Sequence, residues 1–194
     1  MRPFGFHVSI SGGLDRAIER ALERECTCVQ IFCGNPRAWA VTNRKDAEIR
    51  EFRAARKDSA LSPLVVHACY LINPCSPDDE VYERSIERLS WELEVSAKIG
   101  ADFYVIHPGS GKGRPIKWTL TRAAESVSSA CNRAESNPRI LLENTAGTHG
   151  PGASFELMAQ LIGAVEDLGC APSPGIAVDT AHAFAAGYDI CDAE

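Results

Sequence analysis

Apolar positions along the chain follow one repeating plan. Phe4 to Ile10 reads as a strand, which Ser11-Gly12-Gly13 interrupts. From Leu14 to Arg24, the residues Leu14, Ala17, Ile18, Ala21 and Leu22 recur at the three-and-four spacing of a helix with one buried face. The pair repeats with a strand from Cys28 to Phe32 and a helix from Lys45 to Lys57, then a strand from Leu64 to His67 and a long helix from Asp79 to Ile99. Strand Phe103 to His107 precedes helix Leu120 to Ala134, and strand Ile140 to Glu143 precedes helix Phe155 to Leu168. A last strand, Gly175 to Asp179, follows.

These strands are short, rich in Val, Ile and Leu, and do not alternate with polar residues. Such strands belong to a parallel sheet covered by helices, and a helix in every crossover agrees. The fold class is therefore α/β. No G-x-G-x-x-G follows the first strand, which removes the dinucleotide-binding open sheet and favours a (β/α)8 TIM barrel. About five βα units and a sixth strand are legible, whereas such a barrel takes roughly 250 residues. Residues 1–194 thus read as a single partial barrel domain, truncated at the C-terminus. No low-complexity tract or interdomain linker breaks the pattern.

Composition narrows the function class without choosing one. At 45% hydrophobic and 24% charged residues, the chain has the makeup of an ordinary soluble domain. Its longest apolar runs fall far short of the roughly 20 residues a membrane helix needs, and Met1-Arg2 leads directly into a strand with no signal-like segment. The expected location is the cytoplasm. Eight cysteines lie scattered without a C-x-x-C pair, so they read as reduced and mostly buried thiols, with Cys69 beside His67 the one to watch. A net charge of -6 argues against a generally basic nucleic-acid binder but permits a local basic surface.

The chemistry is positional. His67, His107, Glu143 and Asp179 stand at the C-terminal ends of predicted strands three to six, the catalytic face of a barrel. One such residue would be an ordinary hydrogen-bonded polar group; four in succession point to a site. Imidazole and carboxylate donors without thiolate suit zinc or manganese, and a glutamate can bridge two metals. Asp179-Thr-Ala-His182 adds a second imidazole through a tight turn. Gly109-Ser-Gly-Lys-Gly113 lacks the nucleotide P-loop form, so ATP binding is not inferred.

The segments Gly5-Phe-His-Val-Ser9, Asn35-Pro-Arg-Ala-Trp39, His67-Ala-Cys-Tyr-Leu-Ile-Asn73, His107-Pro-Gly-Ser110, Leu142-Glu-Asn-Thr-Ala-Gly147 and Asp179 to Asp189 together resemble endonuclease IV (AP endonuclease family 2), in order and spacing, over the whole chain. The resemblance implies a zinc-dependent deoxyribonuclease of base excision repair that hydrolyses the phosphodiester 5′ of abasic sites in duplex DNA and leaves a 3′-hydroxyl. It implies three zinc ions. His67 and His107 would hold the first, catalytic Glu143 would bridge it to a second bound by Asp179, and His182 would belong to the third. The family's remaining ligands come from the last third of the barrel, so only the first site has its full protein set here. Arg37, Tyr70 and Leu71 match residues that enter the duplex, and the complete enzyme would be a monomer without membrane contact.

Arg44, Lys45, Lys112, Arg114 and Lys117 are candidate phosphate contacts. His7 matches the family pattern as a pocket residue or a neutral core imidazole, and His149 is unassigned. Two other readings stay open: a xylose-isomerase-like sugar isomerase or epimerase on the same fold, and an inactive fragment that binds damaged DNA.

Overall fold

The computed structural model describes residues 2–134, 138–147 and 149–191. In chain order it contains β1 (Gly5–His7), α1 (Asp15–Leu22), β2 (Cys28–Ile31), α2 (Asp46–Ser59), β3 (Leu64–His67) and α3 (Asp79–Ile99). There follow β4 (Phe103–Ile106), α4 (Ile116–Arg133), β5 (Arg139–Glu143), α5 (Phe155–Asp167), β6 (Gly175–Ala177) and α6 (Thr180–Ala185). All six strands form one parallel sheet in the order β1-β2-β3-β4-β5-β6. A doubly wound sheet reverses its order at a switch point, so this monotonic order is that of a barrel wall. Among the described residues the wall is an open arc, with β1 and β6 at its edges.

The core lies between the arc and its helices. Leu64, Tyr104, Ile106, Ile140 and Leu142 from the strands are fully buried against Leu89, Leu93 and Ile99 of α3 and Met158 of α5. The ends of α3 follow helix-terminus chemistry: the Asp78 carboxylate accepts the Val81 N–H at 3.2 Å, and Gly100 turns the chain at φ 77°, where a side chain would be strained. Register then sets the functional rim. His67 pairs with Val105, Ile106 with Leu142 and Glu143 with Ala177, so the strand ends rise in a stagger along one edge of the arc.

Four expectations from the sequence need correction. The first strand is shorter, because the chain leaves the sheet after His7, its last partnered residue. The sixth strand ends at Ala177, and Asp179 instead caps a short helix, α6, where a tight turn was expected. Helix α4 begins at Ile116, with Pro115 as its N-cap, four residues earlier than periodicity indicates. Not every thiol is free: Cys131 of α4 and Cys170 beyond α5 are disulfide-bonded, their Cα atoms 5.8 Å apart where the two helices pack side by side.

Of the other cysteines, Cys26, Cys33, Cys69 and Cys75 are buried as expected. Burial pushes the Cys33 and Cys69 thiols up and Cys75 up to about 12, the behaviour of unreactive core residues. Large apolar side chains remain exposed at both edges of the arc: Phe4 and Phe6 at β1, Ile176 and Val178 at β6. No helix among the described residues is long and apolar enough to cross a membrane.

Because Leu89 joins α3 to the sheet and has no exposed surface, Leu89→Ala should cost about 2–5 kcal/mol. Urea denaturation should show a lower midpoint with an unchanged slope.

Candidate metal centre

The rim of β3 to β6 brings together the strand-end residues singled out in the sequence. Glu143, 8% exposed, is the hub. Its Oε2 lies 3.2 Å from His67 Nε2 and 3.3 Å from His107 Nε2, while its Oε1 lies 3.5 Å from His182 Nδ1. The two carboxylate oxygens therefore face different imidazoles. Ligand atoms of His67, His107 and Glu143 lie within 4.8 Å of one another, and so do those of Glu143, Asp179 and His182. They open into a cavity of about 460 Å³ that His7, Gln30 and Tyr70 also line.

The imidazoles are held by their other nitrogens. His67 Nδ1–H donates to the Ala68 carbonyl at 2.8 Å, which aims Nε2 at Glu143. His182 Nδ1–H donates to the Asn144 carbonyl at 2.9 Å, which leaves its lone pair on Nε2. Asp179 divides its carboxylate in a similar way. Oδ1 caps α6 by accepting the His182 N–H at 2.8 Å, leaving Oδ2 toward the site.

Asn144, directly after Glu143 in the chain, shapes the site from behind. Its Oδ1 accepts the Asp179 N–H at 2.7 Å and its Nδ2 donates to the Asp179 carbonyl at 3.0 Å. One buried side chain thus fixes the backbone of Asp179 while its own carbonyl fixes His182. The available signal was its place directly after Glu143.

Electrostatics match the geometry. Burial pushes the Glu143 carboxyl up, but hydrogen bonds and charge from His107 and His67 outweigh it and hold it at about 2. Burial pushes His67 down, and its bonds to Glu143 and the Ala68 carbonyl more than reverse this, leaving it raised. His7 accepts from the Gln30 amide at 2.8 Å and stacks on Phe32 with ring centres 4.3 Å apart. Desolvation by its neighbours and the charge of His67 lower it to about 4, and its exposed side chain lines the cavity, so it is a pocket residue and not a core imidazole.

The donor set fits a divalent transition ion. Nitrogen and carboxylate ligands on a tetrahedron of about 2.1 Å radius stand roughly 3.4 Å apart along an edge. The two Glu143–histidine separations nearly match that edge. Cys69, the thiol beside His67, is turned away and donates to the Pro36 carbonyl at 3.2 Å.

Around the rim, Arg37 is exposed and Tyr70 is 59% exposed, its ring 6.0 Å from that of His67. Leu71 is half-buried and packs on the core. Arg44, expected to meet a phosphate, instead bonds internally to Glu48 at 2.5 Å and the Cys33 carbonyl at 3.0 Å. Arg114 lies over the Trp118 ring at 5.4 Å.

Comparison with known proteins places this arrangement. The profile of the family described as xylose isomerase-like TIM barrel matches residues 18–194. The chain is 40% identical over 187 residues to a Halothermothrix orenii protein named Probable endonuclease 4, spanning 96% of this chain and 66% of that relative. The crystal structure of endonuclease IV from Thermus thermophilus is 38% identical with a TM-score of 0.84, over 97% of this chain and 66% of that one. A D-tagatose 3-epimerase-like protein, 22% identical with a TM-score of 0.69 over 93% of this chain and 66% of its own, is alike in fold alone. The chain spans about two thirds of the length of the curated relatives it matches.

In the metal-free protein the hub should leave a pH signature. Glu143 is depressed, so its stabilisation is present above its ordinary 4.5 and is lost as pH falls toward 2. His67 is raised, so its share is present below 6.5 and is lost as pH rises through the folded value. Both operate between 4.5 and 6.5. Urea denaturation should therefore find Glu143→Gln destabilising by about 1–3 kcal/mol near pH 5.5, with a smaller difference near pH 8.

Proposed function

The chain belongs to the endonuclease IV family of xylose isomerase-like TIM barrels, and from that premise we propose that it acts in DNA repair as a zinc-dependent nuclease. Its substrate in this reading is duplex DNA with an abasic site, cut at the phosphodiester 5′ of the lesion to leave a 3′-hydroxyl. The observation that carries the proposal is that Glu143 belongs to two ligand groups at once, its Oε2 beside His67 and His107 and its Oε1 on the side where Asp179 stands. A carboxylate shared in this way supports two cations side by side, as hydrolysis of a phosphodiester by clustered metals requires.

Zinc bound here would supply positive charge against the scissile phosphate and lower the pKa of an attacking water toward about 7. The protein's residues do the arranging. His67 and His107 would offer imidazole nitrogens to the zinc from β3 and just beyond β4, and the ring of His67 is oriented by its bond to Ala68. Glu143, held at about 2, stays ionised at neutral pH and would offer an oxygen to each of two ions. Asn144 orients Asp179 and His182 through the backbone. His7, neutral and bonded to Gln30 through Nδ1, offers the proton on Nε2 to an oxygen in the cavity.

Recognition in this reading falls to the exposed Arg37 and Tyr70 at the rim. A nucleotide without its base is cheap to extrude from the stack, and an aromatic ring can fill the gap that it leaves. Leu71, packed on the core, would support the loop from below. A ketose epimerase on the same scaffold has no use for exposed arginine and tyrosine on loops above the metals, and this favours the nuclease.

The test uses the full chain loaded with zinc and a duplex carrying one stable abasic analogue beside an undamaged control. Nicking should occur only at the lesion and stop with a chelator. Glu143→Gln should lower the rate on the order of 10²–10³-fold while retaining preferential binding of the damaged duplex. Equal nicking of both duplexes, or ketose epimerisation in place of nicking, would remove the proposal.

A further inference from the structure

Inside α3 lies a pair of charges that the metal centre does not use. Arg88 is 3% exposed and Glu92 2%, and Arg88 Nε donates to Glu92 Oε1 at 2.8 Å. Replacing such a buried pair by apolar residues is often neutral for stability or better, so stability alone explains it poorly. Where its remaining hydrogen bonds go is more informative.

Arg88 Nη1 donates to the Ala40 carbonyl at 2.8 Å and the Trp39 carbonyl at 3.5 Å, and Nη2 donates to the Asn35 carbonyl at 3.3 Å. Its guanidinium lies 4.7 Å from the Trp91 ring. The loop after β2, which carries Arg37, is therefore wrapped around one planar cation. Gly34 shows how closely: a Cβ there would stand 2.9 Å from Nη2 and 3.2 Å from the Trp91 ring.

Glu92 serves the other loop. Its Oε2 accepts the Cys69 N–H at 3.1 Å and the Tyr104 hydroxyl at 2.6 Å, which ties the backbone just before Tyr70 to β4. The loops are also bonded directly, because Tyr70 N–H donates to the Pro36 carbonyl at 3.0 Å and Cys69 Sγ–H donates to the same oxygen.

We infer that Arg88 and Glu92 are positioning residues for damaged-duplex recognition, a buried bracket that sets the spacing of Arg37 and Tyr70 over the metal centre. The inference rests on the nuclease reading for its purpose and on the hydrogen bonds for its mechanism. Arg88 is needed as arginine because three carbonyls from 35 to 40 require a planar fork of donors, whereas lysine offers a single point charge.

The experiment measures the full chain and its Arg88→Lys variant in two ways. Backbone amide exchange should rise at least tenfold across 35–40 and 69–71, with β3 to β5 unchanged. Binding of abasic-analogue and undamaged duplexes, followed by fluorescence anisotropy, should show the lesion preference falling about tenfold while zinc affinity stays the same. Tyr104→Phe, which removes one hydroxyl from the bracket, should loosen 69–71 a few-fold and reproduce part of the loss; it decides the matter if Arg88→Lys does not fold. Unchanged loop exchange in these variants overturns the bracket, and loosened loops with undiminished lesion preference overturn the positioning role. A wild-type chain without lesion preference removes the nuclease reading instead, while the exchange data still judge the bracket.

Discussion

A carboxylate taken out of water must be paired, and the rim of this sheet is organised around how Glu143 meets that demand. An isolated buried carboxylate would be protonated, because desolvation disfavours its charge. Here burial does act in that direction, yet two imidazoles reverse it and hold the group at about 2. The histidines reach it because β3, β4 and β5 are neighbours in the sheet with a fixed register. A slip of one residue in any of these pairings would turn the alternate face of the strand inward and dissolve the cluster. Strand order, register and protonation are therefore one constraint seen at three scales.

The same rule governs the second buried charge. Glu92 and Arg88 sit one helical turn apart on α3, and neither is satisfied by the helix itself beyond their mutual bond. The loops after β2 and β3 complete the pair with carbonyls and an amide. Irregular segments that would otherwise move on the surface are thereby tied to the longest helix of the chain. The metal centre and the loops above it are thus organised by two buried carboxylates, Glu143 bonded toward the cavity and Glu92 toward the loops.

Much of this was legible in the sequence, and the failures have physical causes. Elements with a strong period and length, such as α3 and β3, match their expected bounds, because burial of one face fixes them. Helix α6 escaped notice because six residues give too little period to distinguish a helix from a turn. His67, His107, Glu143 and Asp179 were identifiable because strand ends on one rim converge whatever the intervening distance in sequence. Where Arg44 and Leu71 point was not legible because side-chain direction is a tertiary property: the arginine, just ahead of α2, bonds to Glu48 of that helix and to the Cys33 carbonyl, and the leucine packs on the core. Arg88 and Glu92 were invisible for a related reason. An (i, i+4) charge pair on a helix looks like a solvated face until the neighbouring loops are known to cover it.

The two candidate ligand groups differ in how firmly they are built. His67, His107 and Glu143 stand on or just beyond β3, β4 and β5, each paired on both sides, so their positions are fixed before any ion arrives. Asp179 and His182 follow β6, an edge strand of three residues, and belong to a helix of six. What steadies them is Asn144, on the chain just beyond β5, whose side chain bonds the N–H and the carbonyl of Asp179 and whose carbonyl accepts from the ring of His182. The outer half of the site is therefore held by reference to the inner half. Pre-organisation passes outward from the doubly paired strands through Asn144, and Glu143, shared by both groups, is the fixed point of this order.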